Sequence, residues 1–382
     1  MFSAILLVVA SWGGASFPSA TGAVVFDKTA NELYEYAIAE YQRLQIGART
    51  VVAEQVVNDD GLLSDIRTVF TIVVAGNGAR IQPVTKPQSA VTLFPRLALH
   101  KGLAKSFVVL AESEYESGNS TAATAVLAET IKYGQNITRM GAMYHQALGV
   151  TLQQIALRPL WEHRDEISER AASPLPKLAQ RGLEFDQARW TMDAVLAESA
   201  VRSKSWKDFF VPFFIDADDE LESVMPPEEE KQFLAEYAKT SSQLHGRMVA
   251  VLSQPETQWQ QRANALINQK PDEKEFSGKR FAAMDWGPVP TYLKMIVKNR
   301  ARMRLLKVVS QLAVFREQHG QFPRSLHDLA DTRVVTDPLT GSAFGYHLTA
   351  DSYELFSAGY GETGRIYLWE RREVEFTDPP LS

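Results

Sequence analysis

The sequence predicts a mainly α protein, a body of helical hairpins or a bundle closed by a small C-terminal module that mixes helix and sheet. Three observations carry this. Apolar residues recur at spacings of three and four through most of the chain. The longest such stretch stops at His319-Gly320, a helix-ending pair. Beyond it the pattern changes to alternation, in Tyr346-His347-Leu348 and Tyr353-Glu354-Leu355-Phe356, as half-buried strands require.

The elements follow in chain order. Ala4 to Ala10 form a short apolar core, followed by Ser11, Gly13, Gly14 and the small residues Thr21-Gly22-Ala23. That order resembles a secretory signal peptide, although no Lys or Arg precedes the core. Residues 1–23 are therefore expected to be a signal peptide or short N-terminal anchor. The run is short of the ~20 apolar residues a membrane span needs. A buried N-terminal strand or helix is the competing expectation. Residues 24–270 are expected to form a mainly helical body. Leu33, Ala37, Tyr41 and Leu44 make one helix face. The β-branched residues in 50–57 and 67–75 fit two short strands, with a helix as the alternative.

From residue 89 the helical pattern returns. Leu97, Leu103, Phe107, Leu110, Ala111 and Tyr115 supply an apolar stripe, which Glu116-Ser117-Gly118-Asn119 breaks before Ala123, Leu127 and Ile131 begin another. The pair reads as an ordinary αα-hairpin, because no second copy recurs at a fixed period. Helices are expected over 141–160, 178–202, 228–252 and 256–268. The polar stretch 269–278 is the expected internal boundary. A long helix over 290–319 then opens the C-terminal module, 290–375.

That tail carries a resemblance. Gly320-Gln321-Phe322-Pro323 ends the long helix, Asp337-Pro338-Leu339-Thr340-Gly341 forms a turn, and Tyr353 to Ser357 followed by Gly359 makes a strand. In order and spacing, residues 300–362 resemble the C-terminal α/β domain of the major pseudopilin of bacterial type II secretion. The resemblance implies a small antiparallel sheet packed against the long helix. Two departures limit it. Lys294, Lys298, Arg300, Arg302, Arg304 and Lys307 make that helix unlike a pilus core. The position where the family places a calcium-binding Asp is Gly361, with only Glu362 beside it, so calcium is not expected. The wider arrangement, a helical hairpin body before such a tail, is similar to a group of uncharacterised exported bacterial proteins.

Composition narrows the chemistry. The 382 residues carry a net charge of −6, which argues against a nucleic-acid footprint over the whole surface. There is no cysteine, which removes thiol nucleophiles and thiolate metal sites. No zinc-peptidase His-Glu-x-x-His, nucleophile elbow or phosphate loop occurs. His163-Arg164-Asp165-Glu166 is the densest titratable cluster, and a solvated helix face is its simpler reading. The acidic run Asp216, Asp218, Asp219, Glu220 and Glu222 lacks the glycine and spaced Glu of a calcium loop. Phe209, Phe210, Phe213 and Phe214 read as core, and the basic positions 294–307 as a solvated face.

No catalytic, cofactor-binding or metal-ligating residue is nominated on these grounds, and no cofactor is expected. The expected function is that of an exported, non-enzymatic protein of the periplasm or cell envelope. It would act through contact with a protein partner, alongside secretion or pilus-type machinery. No nucleic acid is expected as a partner, and membrane contact only through the N-terminal segment. The competing expectation is an exported hydrolase whose site is assembled from distant residues, with His145, His163 and Asp165 as nominal candidates.

Overall fold

The computed structural model describes residues 28–53, 59–82, 90–141, 143–203, 226–267, 277–329, 335–350, 352–359 and 364–368. The N-terminal segment 1–23 lies outside them, as do the aromatic and acidic stretch 206–222, most of the expected boundary 269–278, and the loop holding Gly361 and Glu362. Within them the chain is mainly helical, with a small three-stranded antiparallel sheet near the C-terminus.

Helix α1 (Ala30–Arg43) starts at a capping box, in which Thr29 and Glu32 satisfy each other's backbone N–H groups. Helices α2 (Ile46–Ala53) and α3 (Asp60–Gly78) follow. Residues 67–75 therefore lie in a helix, not the strand that their β-branched character suggested. Burial decides it. Ile66, Val69, Phe70 and Val73 share one buried face of α3, and Asp59 caps its first turn through Leu62 N at 2.9 Å. A β-branched residue gives up at most about 0.7 kcal/mol of helix propensity. Burying its side chain contributes roughly 1.5–3 kcal/mol. The companion stretch 50–57 is helical as far as Ala53, and the rest of it is outside the described residues.

Helices α4 (Ala90–Glu116) and α5 (Ser120–Thr138) form the expected hairpin. Gly118 turns it at φ +74°, and the Asn119 side chain accepts from Ala122 N at 3.3 Å. Helix α6 (Met143–Glu162) crosses α5 at close range, through Gly134 and Gly149. Short α7 (Glu169–Ala172) leads to α8 (Leu175–Glu184) and α9 (Gln187–Arg202). The expected single helix over 178–202 is thus split. Phe185 is extended, ψ 118°, and the Asp186 carboxylate accepts from Arg189 N at 3.0 Å, which starts a new helix.

Helices α10 (Pro227–Leu252), α11 (Trp259–Ile267) and α12 (Gly278–Trp286) precede the 31-residue α13 (Val289–His319). Two apolar cores meet along α13. Its first half, Val289, Leu293, Ile296, Val297 and Ala301, packs with Met192, Met248, Trp259 and Trp286 from α9 to α12. Its second half, from Met303 to Ala313, packs with α5 to α8 and with Phe322, Tyr353 and Leu355. A helix buried on most sides cannot present a solvated basic face, and this corrects the reading of 294–307. Arg302 is 2% exposed and donates to Tyr367 O at 3.3 Å. Arg300 and Arg304 both reach Glu256, at 2.9 and 3.2 Å.

Gly320 closes α13 in the left-handed region, φ +73°, and donates to Arg316 O at 2.8 Å. Gly320→Ala should therefore cost about 1 kcal/mol, because a Cβ is disfavoured there. A urea midpoint equal to that of the parent chain would contradict this.

Strands β1 (Gly345–Leu348), β2 (Tyr353–Ser357) and β3 (Ile366–Tyr367) pair antiparallel in that order, with Tyr346 opposite Leu355 and Phe356 opposite Tyr367. The Asp337-to-Gly341 turn is anchored from inside. Asp337 is fully buried, and its carboxylate accepts from Leu339 N at 2.9 Å and from the Ser357 hydroxyl at 2.7 Å. The tail thus meets α13 in both cores: Tyr353 and Leu355 pack with its second half, and Leu339 and Ile366 with its first.

Candidate functional site

The residues with chemistry to offer fall at two places. The first is the turn that ends α6. Backbone bonds from His163 N to Pro159 O (2.9 Å) and Glu166 N to His163 O (2.9 Å) curl the chain. Its consecutive side chains consequently point to different neighbours. His163 turns back onto α4. Its ring stacks on Tyr115 with centroids 4.0 Å apart, Nε2 lies 2.9 Å from Glu112 Oε2, and Nδ1 lies 2.8 Å from Glu166 Oε1. Arg164 turns to the sheet, donating to Tyr353 O at 3.2 Å and to Trp161 O at 2.8 Å. Asp165 accepts from the Ser352 hydroxyl at 2.8 Å.

The expected surface pair with Glu166 is present, but His163 is also drawn onto α4, so its side chain is only 25% exposed. Burial disfavours its charge, but the Glu166 and Glu112 carboxylates outweigh that and hold its pKa above the ordinary 6.5. With a carboxylate against each ring nitrogen, the protonated ring, in which both nitrogens donate, is the form this arrangement favours. Such an imidazolium has no lone pair with which to take a proton from a substrate. The sign of the pH effect follows. The bonus from the charged ring is complete below about 6.5 and is lost as pH rises through the raised value. The Tm of the parent chain should fall across that window relative to a His163→Gln chain. Parallel Tm–pH curves for the two would refute the charged clamp.

The other nominal candidates do not join His163. His145 lies near His100, and burial lowers the pKa of both, that of His100 to about 3. His100 Nδ1 meets the Tyr133 hydroxyl. Asp165 is committed to Ser352, across the junction with the sheet. The three nominal candidates therefore lie in separate places: His163 against Glu112 and Glu166, Asp165 against Ser352, and His145 beside His100.

The second place escaped the sequence reading. A polar seam runs from α1 and α3 across α5 to α8, and on to α6, α9 and α13. Glu129 accepts from Asn77 Nδ2 at 2.7 Å, Tyr34 donates to Asn77 at 2.7 Å, and Asn136 donates to Tyr34 at 2.7 Å. Arg181 donates in turn to Asn136 Oδ1. The seam ends at a narrow crevice lined by Gln135, Arg139, Gln153, Arg181, Gln187 and Asn299, among others. Its inner hollow is about 10 Å³, room for one water. Gln135 Nε2 is held by Leu178 O at 3.0 Å, and Asn299 Nδ2 by Gln153 Oε1 at 3.3 Å. One signal was available in the sequence: Gln135 and Asn299 stand where the core stripes of α5 and α13 call for apolar residues, four after Ile131 and three after Ile296.

Elsewhere, an open groove of about 390 Å³ runs along the first turns of α10, lined by Ser203, Pro227, Glu230, Lys231, Leu234, Ala235 and Ala238. Among the described residues, no group of three or more His, Asp or Glu side chains is placed to hold a metal ion. Nor is any helix there long and apolar enough to cross a membrane. No family model, curated protein or solved structure matches the chain.

Proposed function

We propose that this chain is an exported, non-enzymatic protein of the cell envelope that works by protein–protein contact, alongside secretion or pilus-type machinery. On this reading its tail is a module of the major pseudopilin type reused behind a helical body. One observation supports the non-enzymatic part: His163 and Asp165 are engaged in separate structural contacts, and the third nominal candidate, His145, is buried beside His100, not beside them. His163 is locked between two carboxylates, and Arg164 and Asp165 fasten the sheet to the end of α6. A hydrolase would need these groups to converge on a pocket. The groove on α10 is open, and among the described residues its lining of Ser203, Pro227, Glu230, Lys231, Leu234, Ala235 and Ala238 includes no histidine. The pseudopilin-type reading is supported by the tail's order: long helix, Gly320 stop, Pro323, one short 3-10 turn, the Asp337 turn, then the antiparallel strands.

Affinity capture with the full-length chain from envelope fractions tests this. The expected result is reproducible recovery of a component of secretion or pilus apparatus. Absence of any reproducible partner, together with turnover of a hydrolase substrate, would overturn the proposal in favour of the enzyme.

A further inference from the structure

We propose that the crevice at the end of the polar seam is a binding site for a small oxyanion, a carboxylate or a phosphate, held by Arg139 and Arg181. The inference is independent of where the protein resides.

The two guanidiniums are neighbours, since Arg139 Nη2 donates to the Arg181 backbone carbonyl at 3.1 Å. Each is half-buried, and neither has a carboxylate partner among the described residues. On the neighbouring helices α13 and α6, Arg300 and Arg304 share Glu256, and Arg158 pairs with Glu162. Burial lowers the pKa of both arginines, and Arg181 adds repulsion on Arg139. Glu184 offsets part of this at Arg139 and Glu129 part of it at Arg181, but among the described residues no carboxylate is within ion-pair reach of either guanidinium, and an incoming anion would relieve the two adjacent cations. The chain's overall charge of −6 makes such an attraction local to this place.

The second observation lies deeper in the same crevice. Gln135, Gln187 and Asn299 are 2%, 5% and 4% exposed, and each has one polar atom without a partner: Gln135 Oε1, Gln187 Nε2 and Asn299 Oδ1. Buried amide groups are rarely left so. The arginines, being the more exposed, form the rim, and the amides form the floor. A planar carboxylate or a tetrahedral phosphate would take the guanidinium N–H groups at the rim, where fork geometry favours bidentate contact. The inner hollow admits one water, which would donate to the bound oxygen and to one of the two amide carbonyls while accepting from Gln187 Nε2. Phe185 lies under Arg139, ring centroid to guanidinium 5.2 Å, and fixes that side of the rim. The hollow has no room for an apolar ligand body.

The test is titration of the full-length chain with sodium phosphate and, separately, sodium acetate, at ionic strength held constant with chloride. Calorimetry and Tm are both read. The expected result is saturable binding and a rising Tm, at least tenfold weaker in Arg139→Gln and in Arg181→Gln, and unchanged in Arg158→Gln. Whichever anion binds more tightly identifies the source chemistry. Where a glutamine variant does not fold, Arg139→Lys or Arg181→Lys replaces it. That variant keeps the charge but loses the fork, and should also bind more weakly. No saturable binding beyond chloride, or equal binding by the parent and the arginine variants, would overturn the site.

Discussion

A Tyr353→Ala chain should lose about 4 kcal/mol of stability, the range for truncating a buried aromatic, and should release the sheet from the helices. Tyr353 is 1% exposed. Its ring meets Phe322 edge-on at 4.8 Å, Trp161 at 6.0 Å with planes 86° apart, and Tyr346 at 5.9 Å. The Arg164 guanidinium lies 5.4 Å from its centroid. Three segments distant in sequence, the end of α6, the exit from α13 and strand β2, converge on this one ring. The cavity left by alanine could not close without moving all three. Arg164→Ala removes the bonds to the Tyr353 and Trp161 carbonyls, and should act in the same direction with a smaller effect. Hydrogen exchange distinguishes local release from general weakening. Amides of β1 and β2 should exchange faster, while those of α10 to α12, which belong to the other core, keep their protection. Uniform loss of protection across both cores would refute the local account.

The second large effect is expected at the crossing of α5 and α6. By intrinsic propensity, Gly149→Ala in mid-helix should stabilise by up to about 1 kcal/mol. Packing predicts the reverse. A Cβ on Gly149 would run into the carbonyl oxygen of Gly134 and lie 2.7 Å from the backbone nitrogen of Thr138; one on Gly134 would lie 2.6 Å from Gly149 O. These neighbours are backbone and cannot swing aside, so the helices must part. Overpacking of that kind costs roughly 1–3 kcal/mol or somewhat more. Gly149→Ala should therefore be net destabilising, and Gly149→Val, which gains little propensity, should lose about 3 kcal/mol. Gly246, in α10, is the control. It has nothing within 4 Å of an added Cβ, so Gly246→Ala should be neutral or mildly stabilising. Equal urea midpoints for Gly149→Ala and Gly246→Ala would show that the helices do not approach this closely.

Much of the architecture was legible because it depends on local chemistry. The α4–α5 hairpin is visible in the stripes on either side of Gly118-Asn119, and the end of α13 in Gly320, since both rest on backbone preferences that the residue itself supplies. The strands of the tail were legible for the same reason, from alternation around Tyr346 and Tyr353. Misreadings arose where a distant partner outweighs the local preference. Residues 67–75 look like a strand until their burial against α1 and α4 is counted. Arg302 looks solvent-facing until Tyr367 is brought beside it. His163 looks like a surface pair with Glu166, three residues away, but Glu112 comes from another helix. The crevice was invisible as a site because its residues, from Gln135 to Asn299, are separated by most of the helical body.

By itself, then, the sequence determined the helical class, the position of the main hairpin, the stop of the long helix and the order of the tail. Each of these is set by neighbours a few residues apart, whose spacing is written directly in the chain. Only the tertiary structure decided that the long helix runs between two cores, that His163 lies between two carboxylates, and that two arginines without a carboxylate in ion-pair reach line one crevice with three buried amides. Those are facts about burial and charge between residues far apart in sequence, and folding alone brings them within reach of one another.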